Sequence, residues 1–253
     1  MDFNSMSHYI KYIELRTSEI PNFDYYPFNL PIVSSFKRLD FHPKVTYLVG
    51  ENGMGKSTLL EAIATKAGFN PEGGSFNSNF STYDSHSNLD KYIKVAKGAI
   101  KASDGFFLRA ESFYNLATNI EELDNEPSSA PKIIDSYGGI SLHEQSHGES
   151  FFATFLNRFA GNGIYLLDEP EAALSPLRQL SMLSRIDHLV QQHSQFIIAT
   201  HSPIIMSYPD SIIYEFNDDG IVETSLEETK HYMLMKQFFN DKDRLLHHLF
   251  NNN

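Results

Sequence analysis

Apolar runs separated by polar and glycine-rich segments divide the chain into alternating predicted strands and helices. Residues 44–49 (KVTYLV) are rich in β-branched and aromatic side chains, which is typical of a buried strand. A helical pattern follows from about Lys56 to Ala67, and Gly68 is well placed to end it. Further strands are expected at FFLRAESF, IYLLDE, FIIATHS and SIIYEF, with helices beginning near Glu149 and near 176.

This alternation predicts an α/β fold with a mainly parallel sheet at its centre. We expect residues 1–253 to form a single domain, with a helical lobe inserted at about 69–134. Within that lobe, LDKYIKVAKGAIKAS (89–103) has an apolar face at helical spacing. Four lysines lie away from this face: Lys91, Lys94, Lys97 and Lys101.

The lysine stripe has two interpretations. A solvated face is favoured, and a basic patch for a nucleic-acid backbone or an acidic protein effector is the alternative. The segment HYMLMKQFFNDKDRLLHHLF near the end of the chain is amphipathic. We expect it to pack on the core, with docking of a partner as the alternative.

The composition is that of an ordinary globular domain, with 41% hydrophobic and 21% charged residues. A net charge of −12 disfavours broad attraction to nucleic acid or anionic membrane. The sequence contains no cysteine, which excludes disulfides and thiolate metal sites. With no long apolar run, we expect a cytoplasmic protein without membrane insertion.

Residues 50–57 (GENGMGKS) match the G-x-x-x-x-G-K-[ST] phosphate-binding pattern between a predicted strand and a predicted helix. Glycines let backbone amides turn toward phosphate oxygens, and a helix N-terminus adds partial positive charge. We expect Lys56 to reach the β- and γ-phosphates and Ser57 to bind Mg²⁺. The predicted nucleotide-binding residues of this segment are Gly50, Asn52, Gly53, Met54, Gly55, Lys56, Ser57 and Thr58.

Two acids, Asp168 and Glu169, end the apolar run IYLL. We expect Asp168 to hold Mg²⁺ through Ser57 or water, and Glu169 to orient the attacking water and accept its proton. A guanine-reading Asn-Lys-x-Asp string is absent, which favours ATP over GTP.

Two further segments gain a role only in combination with this site. Ser146 and Gly148 stand at the start of a predicted helix, where a hydroxyl and free amides bind anions, although Ser146 and Glu149 alone fit an ordinary capping box. His201 follows the strand FIIAT, where it can donate a hydrogen bond to a γ-phosphate. Alone, it is more often a capping or core histidine.

Together these segments resemble the ATP-binding cassette ATPases, in particular the stand-alone soluble ATPases related to the heads of DNA-repair, OLD-like and chromosome-maintenance ATPases. GENGMGKST resembles the Walker A motif, QSHGE the signature, IYLLDEPE the Walker B, EAALS the D-loop and ATHS the switch-histidine loop. The resemblance implies a homodimer formed on ATP, in which Ser146 and Gly148 of one copy bind the nucleotide of the other. It also implies that Glu169 and His201 are catalytic.

The sequence departs from the family pattern at several positions. The signature has SHGE where transporters have SGGQ, and the D-loop ends in Ser175. Glu111 is the best positional substitute for the Q-loop glutamine, and it joins Ser57 and Asp168 as an expected metal ligand. The aromatic residue that contacts adenine is expected upstream of the loop, at Tyr25, Tyr26 or Phe28.

Three functions stay open from the sequence. The first is an ATPase that gates or drives a partner, in DNA maintenance or defence against foreign DNA. The second is the ATP-binding subunit of a membrane transporter, which the missing glutamine and the EPEAALSP string disfavour. The third is a nucleotide-dependent switch with little turnover.

Overall fold

The computed structural model of the protein describes residues 8–76, 78, 87–127 and 129–251. Its strands are β1 (Ile10–Leu15), β2 (Arg38–Asp40), β3 (Val45–Gly50), β4 (Gly74–Ser75), β5 (Ile93–Lys97), β6 (Asp104–Arg109), β7 (Gly163–Asp168), β8 (Gln195–Ala199), β9 (Ile212–Asn217) and β10 (Gly220–Thr224). Its α-helices are α1 (Pro31–Ser35), α2 (Lys56–Ala67), α3 (Phe113–Asn125), α4 (His147–Asn157), α5 (Pro176–Gln191), α6 (Lys230–Asn240) and α7 (Lys242–Asn251).

Among the described residues, seven strands form the central sheet, in the order β10-β9-β3-β8-β7-β6-β4. The five inner strands are parallel to one another, and the edge strands β10 and β4 pair antiparallel with their neighbours. Every residue of β3, β7 and β8 is buried, because a parallel sheet is covered on both faces. The predicted α/β fold with a mainly parallel core is confirmed.

The central sheet has a hydrophobic cluster on each face. On one face, α2 packs between the sheet and a three-stranded antiparallel sheet of order β2-β1-β5. On the other face lie α3, α4 and α5. Tyr47 and Leu48, which are neighbours in β3, belong to opposite clusters because successive strand residues face opposite sides.

The helix predicted over 89–103 is wrong. Residues Asn88–Tyr92 form a 3-10 helix, and β5 pairs antiparallel with β1. In so short a segment the apolar residues fit both a helical and an alternating pattern, and pairing with a distant strand decides between them.

The segment 69–134 supplies strands to both sheets as well as helix α3, so it is not the helical lobe that we expected. The stretch from Gly68 to Asn88 is rich in Gly, Ser and Asn, which predicts a loop or ordered turns, and part of this stretch lies outside the described residues. The single-domain organisation over 1–253 stays a prediction.

The four lysines therefore do not form a stripe along a helix. Lys94 forms an ion pair with Glu14 at 3.5 Å, and Lys97 donates a hydrogen bond to the carbonyl of Ala67. Lys91 and Lys101 are exposed. Contact of these lysines with nucleic acid or a protein effector stays a prediction.

The C-terminal amphipathic segment forms two helices, α6 and α7, which break at Asp241. Neither helix contains a buried residue, so the expected packing on the core is wrong for most of their length. Their exposed apolar side chains are Met233, Leu234, Met235, Phe239, Leu249 and Phe250. Among the described residues, no helix combines the length and apolar character that crossing a membrane requires.

Candidate functional site

The loop between β3 and α2 follows the course that the sequence pattern predicts. Gly50 has φ of +137° and Gly55 has φ of +90°, a region of backbone conformation that favours glycine. A Cβ atom on Gly50 would lie 2.4 Å from the carbonyl oxygen of Phe216, and one on Gly55 would lie 2.9 Å from side-chain atoms of Leu30 and Ile32. The loop therefore has both the curvature and the close packing that only glycine permits. Asn52, Gly53 and Met54 lie within it.

Lys56 is held inside this loop. Its Nζ donates to the carbonyl oxygens of Gly50 at 2.8 Å and Glu51 at 3.0 Å, and the side chain is almost fully buried. Burial lowers the pKa of Lys56, while the nearby carboxylates of Glu169 and Asp168 act to raise it. The ammonium group is thus fixed beside the acids that follow β7.

A hydrogen bond joins the loop to the acidic end of β7. Ser57 Oγ donates to Asp168 Oδ1 at 2.8 Å. Asp168 is buried, and burial raises its pKa, an effect that the charge of Arg109 and the Ser57 hydrogen bond oppose. The structure therefore brings together two of the three predicted metal ligands.

Arg109 is a component of the site to which the sequence assigned no role. It ends β6 directly opposite Asp168, which ends the neighbouring parallel strand β7. Its guanidinium forms ion pairs with Glu61 at 3.0 Å and Asp168 at 3.4 Å. Glu111, the third predicted metal ligand, has a side chain 89% exposed and lies 3.7 Å from Arg109. In the sequence, an arginine at the end of a predicted strand was the signal that could have pointed to Arg109.

Glu169 and His201 are in contact because they follow the adjacent parallel strands β7 and β8. His201 Nε2 lies 3.3 Å from Glu169 Oε1, and the backbone N–H of Glu169 donates to the carbonyl of Ala199. Glu169 has φ of +49° and ψ of +51°, a left-handed conformation that is uncommon for a residue other than glycine. Burial and the charge of Lys56 lower the pKa of His201.

A second buried acid supports the loop that follows β8. Glu171 accepts hydrogen bonds from Thr200 Oγ1 at 2.7 Å and from the backbone N–H of His201. Burial raises the pKa of Glu171, and these two hydrogen bonds oppose the rise. Glu171 thereby fixes the backbone that carries His201. The sequence does not predict this role, because it depends on how the loops after β7 and β8 are arranged in the folded chain.

Ser146 and Gly148 begin α4 in the expected capping box. The backbone N–H and the Oγ of Ser146 both donate to Glu149 Oε2, at 3.2 and 2.6 Å, and these hydrogen bonds lower the pKa of Glu149. A Cβ atom on Gly148 would lie 2.5 Å from the carbonyl oxygen of Ala173, so this position packs against the predicted D-loop. Ser146 is exposed.

The three aromatic residues proposed for adenine differ in accessibility. Phe28 is fully buried and packs edge-on against Tyr25, with ring centroids 5.3 Å apart, so its face is closed to a ligand. Tyr26 is 58% exposed, and its Oη lies 3.0 Å from Thr58 Oγ1 at the start of α2. Tyr26 is therefore the candidate that is both exposed and in contact with the start of α2.

A parallel sheet, a glycine-rich loop and a lysine–serine pair at the start of a helix define a P-loop protein. A protein-family model described as an AAA domain matches residues 19–156, more than half of the chain. The chain belongs to this AAA domain family, and its resemblance to P-loop ATPases is confirmed.

Solved structures with a similar fold share little sequence with the chain. A metal-chelate type ABC transporter in an inward-facing conformation is 16% identical, with a TM-score of 0.49 and coverage of 90% of this chain and 88% of that chain. The SMC head domain from Thermotoga maritima is 17% identical, with a TM-score of 0.42 and coverage of 85% and 99%. CbiO1 from Clostridium perfringens, part of an ABC transporter complex, is 17% identical, with a TM-score of 0.46 and coverage of 96% and 99%. No curated protein matches the chain.

Replacing Arg109 with Met should destabilise the nucleotide-free protein. The change leaves Glu61 and Asp168 buried without their cation, so we expect the free energy of unfolding to fall by about 3–5 kcal/mol. Arg16→Met is the matched control, because Arg16 pairs with Glu19 at the surface and its loss should cost less than about 1 kcal/mol. Denaturant titration measures both, and equal losses would contradict the structural role of Arg109.

Proposed function

We propose that the protein binds ATP with Mg²⁺ and hydrolyses it. The observation that carries this proposal is the hydrogen bond between Ser57 and Asp168, which joins the phosphate loop to the acidic end of β7. These are the two oxygen donors that P-loop ATPases use for magnesium, and a hard cation prefers such ligands.

The residues around this hydrogen bond fit a triphosphate. The loop amides of residues 50–55 and the N-terminus of α2 would hold phosphate oxygens, and Lys56 supplies a buried positive charge beside them. Ser57 and Asp168 would hold Mg²⁺, which neutralises charge on the phosphates when bound. Glu111 is exposed at the edge of this group and stays a weaker candidate for the magnesium shell.

Hydrolysis needs a group that takes a proton from water. Glu169 is next to Asp168 and its side chain is 40% exposed, so water can reach it. His201 lies against the same carboxylate, where its Nε2–H can donate either to Glu169 or to a γ-phosphate. This arrangement favours an enzyme with turnover over a switch that only binds nucleotide.

The proposal includes a homodimer that forms on ATP. Ser146 and Glu149, at the start of α4, are exposed, so a second copy can reach them. Glu149 is the feature that opposes such contact, because it places a carboxylate on the Ser146 hydroxyl where a partner's triphosphate would approach. Arg178, with Nη2 3.7 Å from Glu149 Oε1, offsets part of this charge.

Replacing Glu169 with Gln tests the proposed chemistry. We expect phosphate release to fall by at least about 100-fold, because the general base is lost, while ATP binding and ATP-dependent dimers persist. Glu227→Gln, at an exposed acid elsewhere in the chain, should leave the rate unchanged. The Lys56→Ala variant should bind ATP more weakly, because it lacks the positive charge beside the phosphates. Unchanged phosphate release in the Glu169 variant would remove Glu169 from the mechanism.

Replacing Glu149 with Gln tests the signature segment. The amide oxygen can still accept the hydrogen bonds of Ser146, but the negative charge is lost, so dimers should form at a lower ATP concentration. Light scattering in the Glu169→Gln background with Mg²⁺ and ATP measures this shift, and Glu144→Gln is the control on a nearby exposed acid. An unchanged ATP concentration for dimerisation would refute a role for α4 at the dimer interface, and weaker dimerisation would refute the opposing effect of the Glu149 charge.

Replacing Tyr26 with Ala tests the adenine contact. Loss of an aromatic contact worth about 1 kcal/mol should weaken ATP binding roughly fivefold, and Tyr26→Phe should restore most of it. Tyr114→Ala, the same change at a tyrosine of α3 that is 67% exposed, is the control and should leave ATP affinity unchanged. Equal ATP affinity in the wild type and the Tyr26→Ala variant would exclude Tyr26.

A further inference from the structure

The first turn of α6 reaches the proposed hydrolysis site. His231, the second residue of α6, has its Nε2 3.2 Å from His201 Nδ1, and the ring centroids are 5.0 Å apart. On the other side of the His201 ring, Nε2 lies 3.3 Å from Glu169 Oε1. The three side chains form one continuous series of contacts from the C-terminal helix to the proposed general base.

Chemistry fixes the direction of both hydrogen bonds. A carboxylate only accepts, so the proton of the contact with Glu169 belongs to His201 Nε2. The Nδ1 of a neutral His201 then has no proton and must accept, which makes His231 Nε2 the donor. The lowered pKa of His201 agrees with a neutral ring.

The remaining nitrogen of His231 agrees with this assignment. His231 Nδ1 is buried and has no hydrogen-bond partner among the described residues. With the proton on Nε2, the buried Nδ1 of His231 carries a lone pair and no hydrogen. The Nδ1–H tautomer would instead bury an N–H donor without an acceptor, at a cost of about 1–3 kcal/mol. The Nε2–H tautomer of His231 thus supplies the donor to His201 and leaves no buried N–H of His231 without an acceptor.

The protein fixes the position of His231 through the start of its helix. Thr229 is fully buried and caps α6 by accepting from the N–H of Tyr232. The N–H of Lys230 donates to Glu215, a buried acid of β9, at 2.9 Å. The first turn is therefore attached to the central sheet, although the rest of α6 is largely exposed.

We propose that His231 is a positioning residue that holds His201 in its Nε2–H tautomer and fixes its ring for ATP hydrolysis. This inference rests on the proposed function, because it gives a residue of α6 a role in the proposed hydrolysis of ATP. His231 contacts His201 and acts only through it.

His231→Phe removes the donor and keeps a ring of similar size. We expect kcat for ATP hydrolysis to fall at least about tenfold, with KM changed less than about threefold. Loss of the hydrogen-bond partner that orients a metal-bound histidine has an effect of this size. His231→Gln should restore kcat to within about threefold of the wild type, because its amide N–H can donate to His201 Nδ1. His248→Phe, the same change on the exposed face of α7, is the control and should leave kcat unchanged.

A second measurement does not depend on activity. In the nucleotide-free protein, ¹⁵N chemical shifts of the imidazole nitrogens report the tautomer of His201, which should be Nε2–H in the wild type and mixed in His231→Phe. Thermal unfolding of each variant establishes that it is folded. Adding His231→Phe to His201→Ala should cause no further loss of kcat, because the two residues act as a unit.

The outcomes separate the inference from the proposed function. A wild-type protein without ATPase activity refutes the proposed function, and a His201 tautomer that is unchanged in His231→Phe then refutes the inference as well. A wild type that hydrolyses ATP and loses activity with His201→Ala, but not with His231→Phe, overturns the inference alone.

Discussion

The hydrogen bond from Ser57 to Asp168 is the constraint on which the rest of the site depends. The loop follows β3 and Asp168 ends β7, and β8 lies between these strands in the sheet. The two groups meet only because all three strands run in parallel and end at the same edge. Once they meet, the phosphate loop, the paired acids and the His201 loop have fixed relative positions. A small displacement of β7 would therefore alter the site at each of these points.

The concentration of buried charge around this hydrogen bond is the main electrostatic cost of the site. Four carboxylates, from Glu61, Asp168, Glu169 and Glu171, lie near two cations, Lys56 and Arg109. Burial disfavours the ionised forms of Asp168, Glu171 and Lys56, which is why the pKa values of Asp168 and Glu171 are raised and that of Lys56 is lowered. Each charge depends on neighbours of opposite sign or on hydrogen bonds, so the group is stable as a set and poorly tolerant of single losses.

The parts of the site that the sequence predicted are those whose signals are local. The strand, loop and helix around Lys56 are contiguous. Asp168 ends one apolar run and His201 follows another, and both runs are typical of buried strands. The strand β5 was missed because its conformation depends on pairing with β1, about 80 residues earlier, and its own pattern fits two periods. Arg109, Glu171 and His231 were missed for a related reason: each is defined by a partner that only the folded chain brings near. Arg109 could have been predicted, because Arg109 and Asp168 end two strands that the sequence places in one parallel sheet.

The position of α6 changes how the C-terminal region is understood. A helix with no buried residue is ordinarily an appendage, yet its first turn is tied to β9 and reaches His201 with a contact of defined direction. Burying the unpaired Nδ1 of His231 costs free energy that a packed apolar side chain would avoid, so packing alone does not account for a histidine at this position. A hydrogen bond to His201 does account for it. Because the donor is on α6 and the acceptor follows β8, any rearrangement of the C-terminal helices that moves the first turn also changes the environment of Glu169. The first turn of α6 is therefore structurally part of the site rather than an addition beside it.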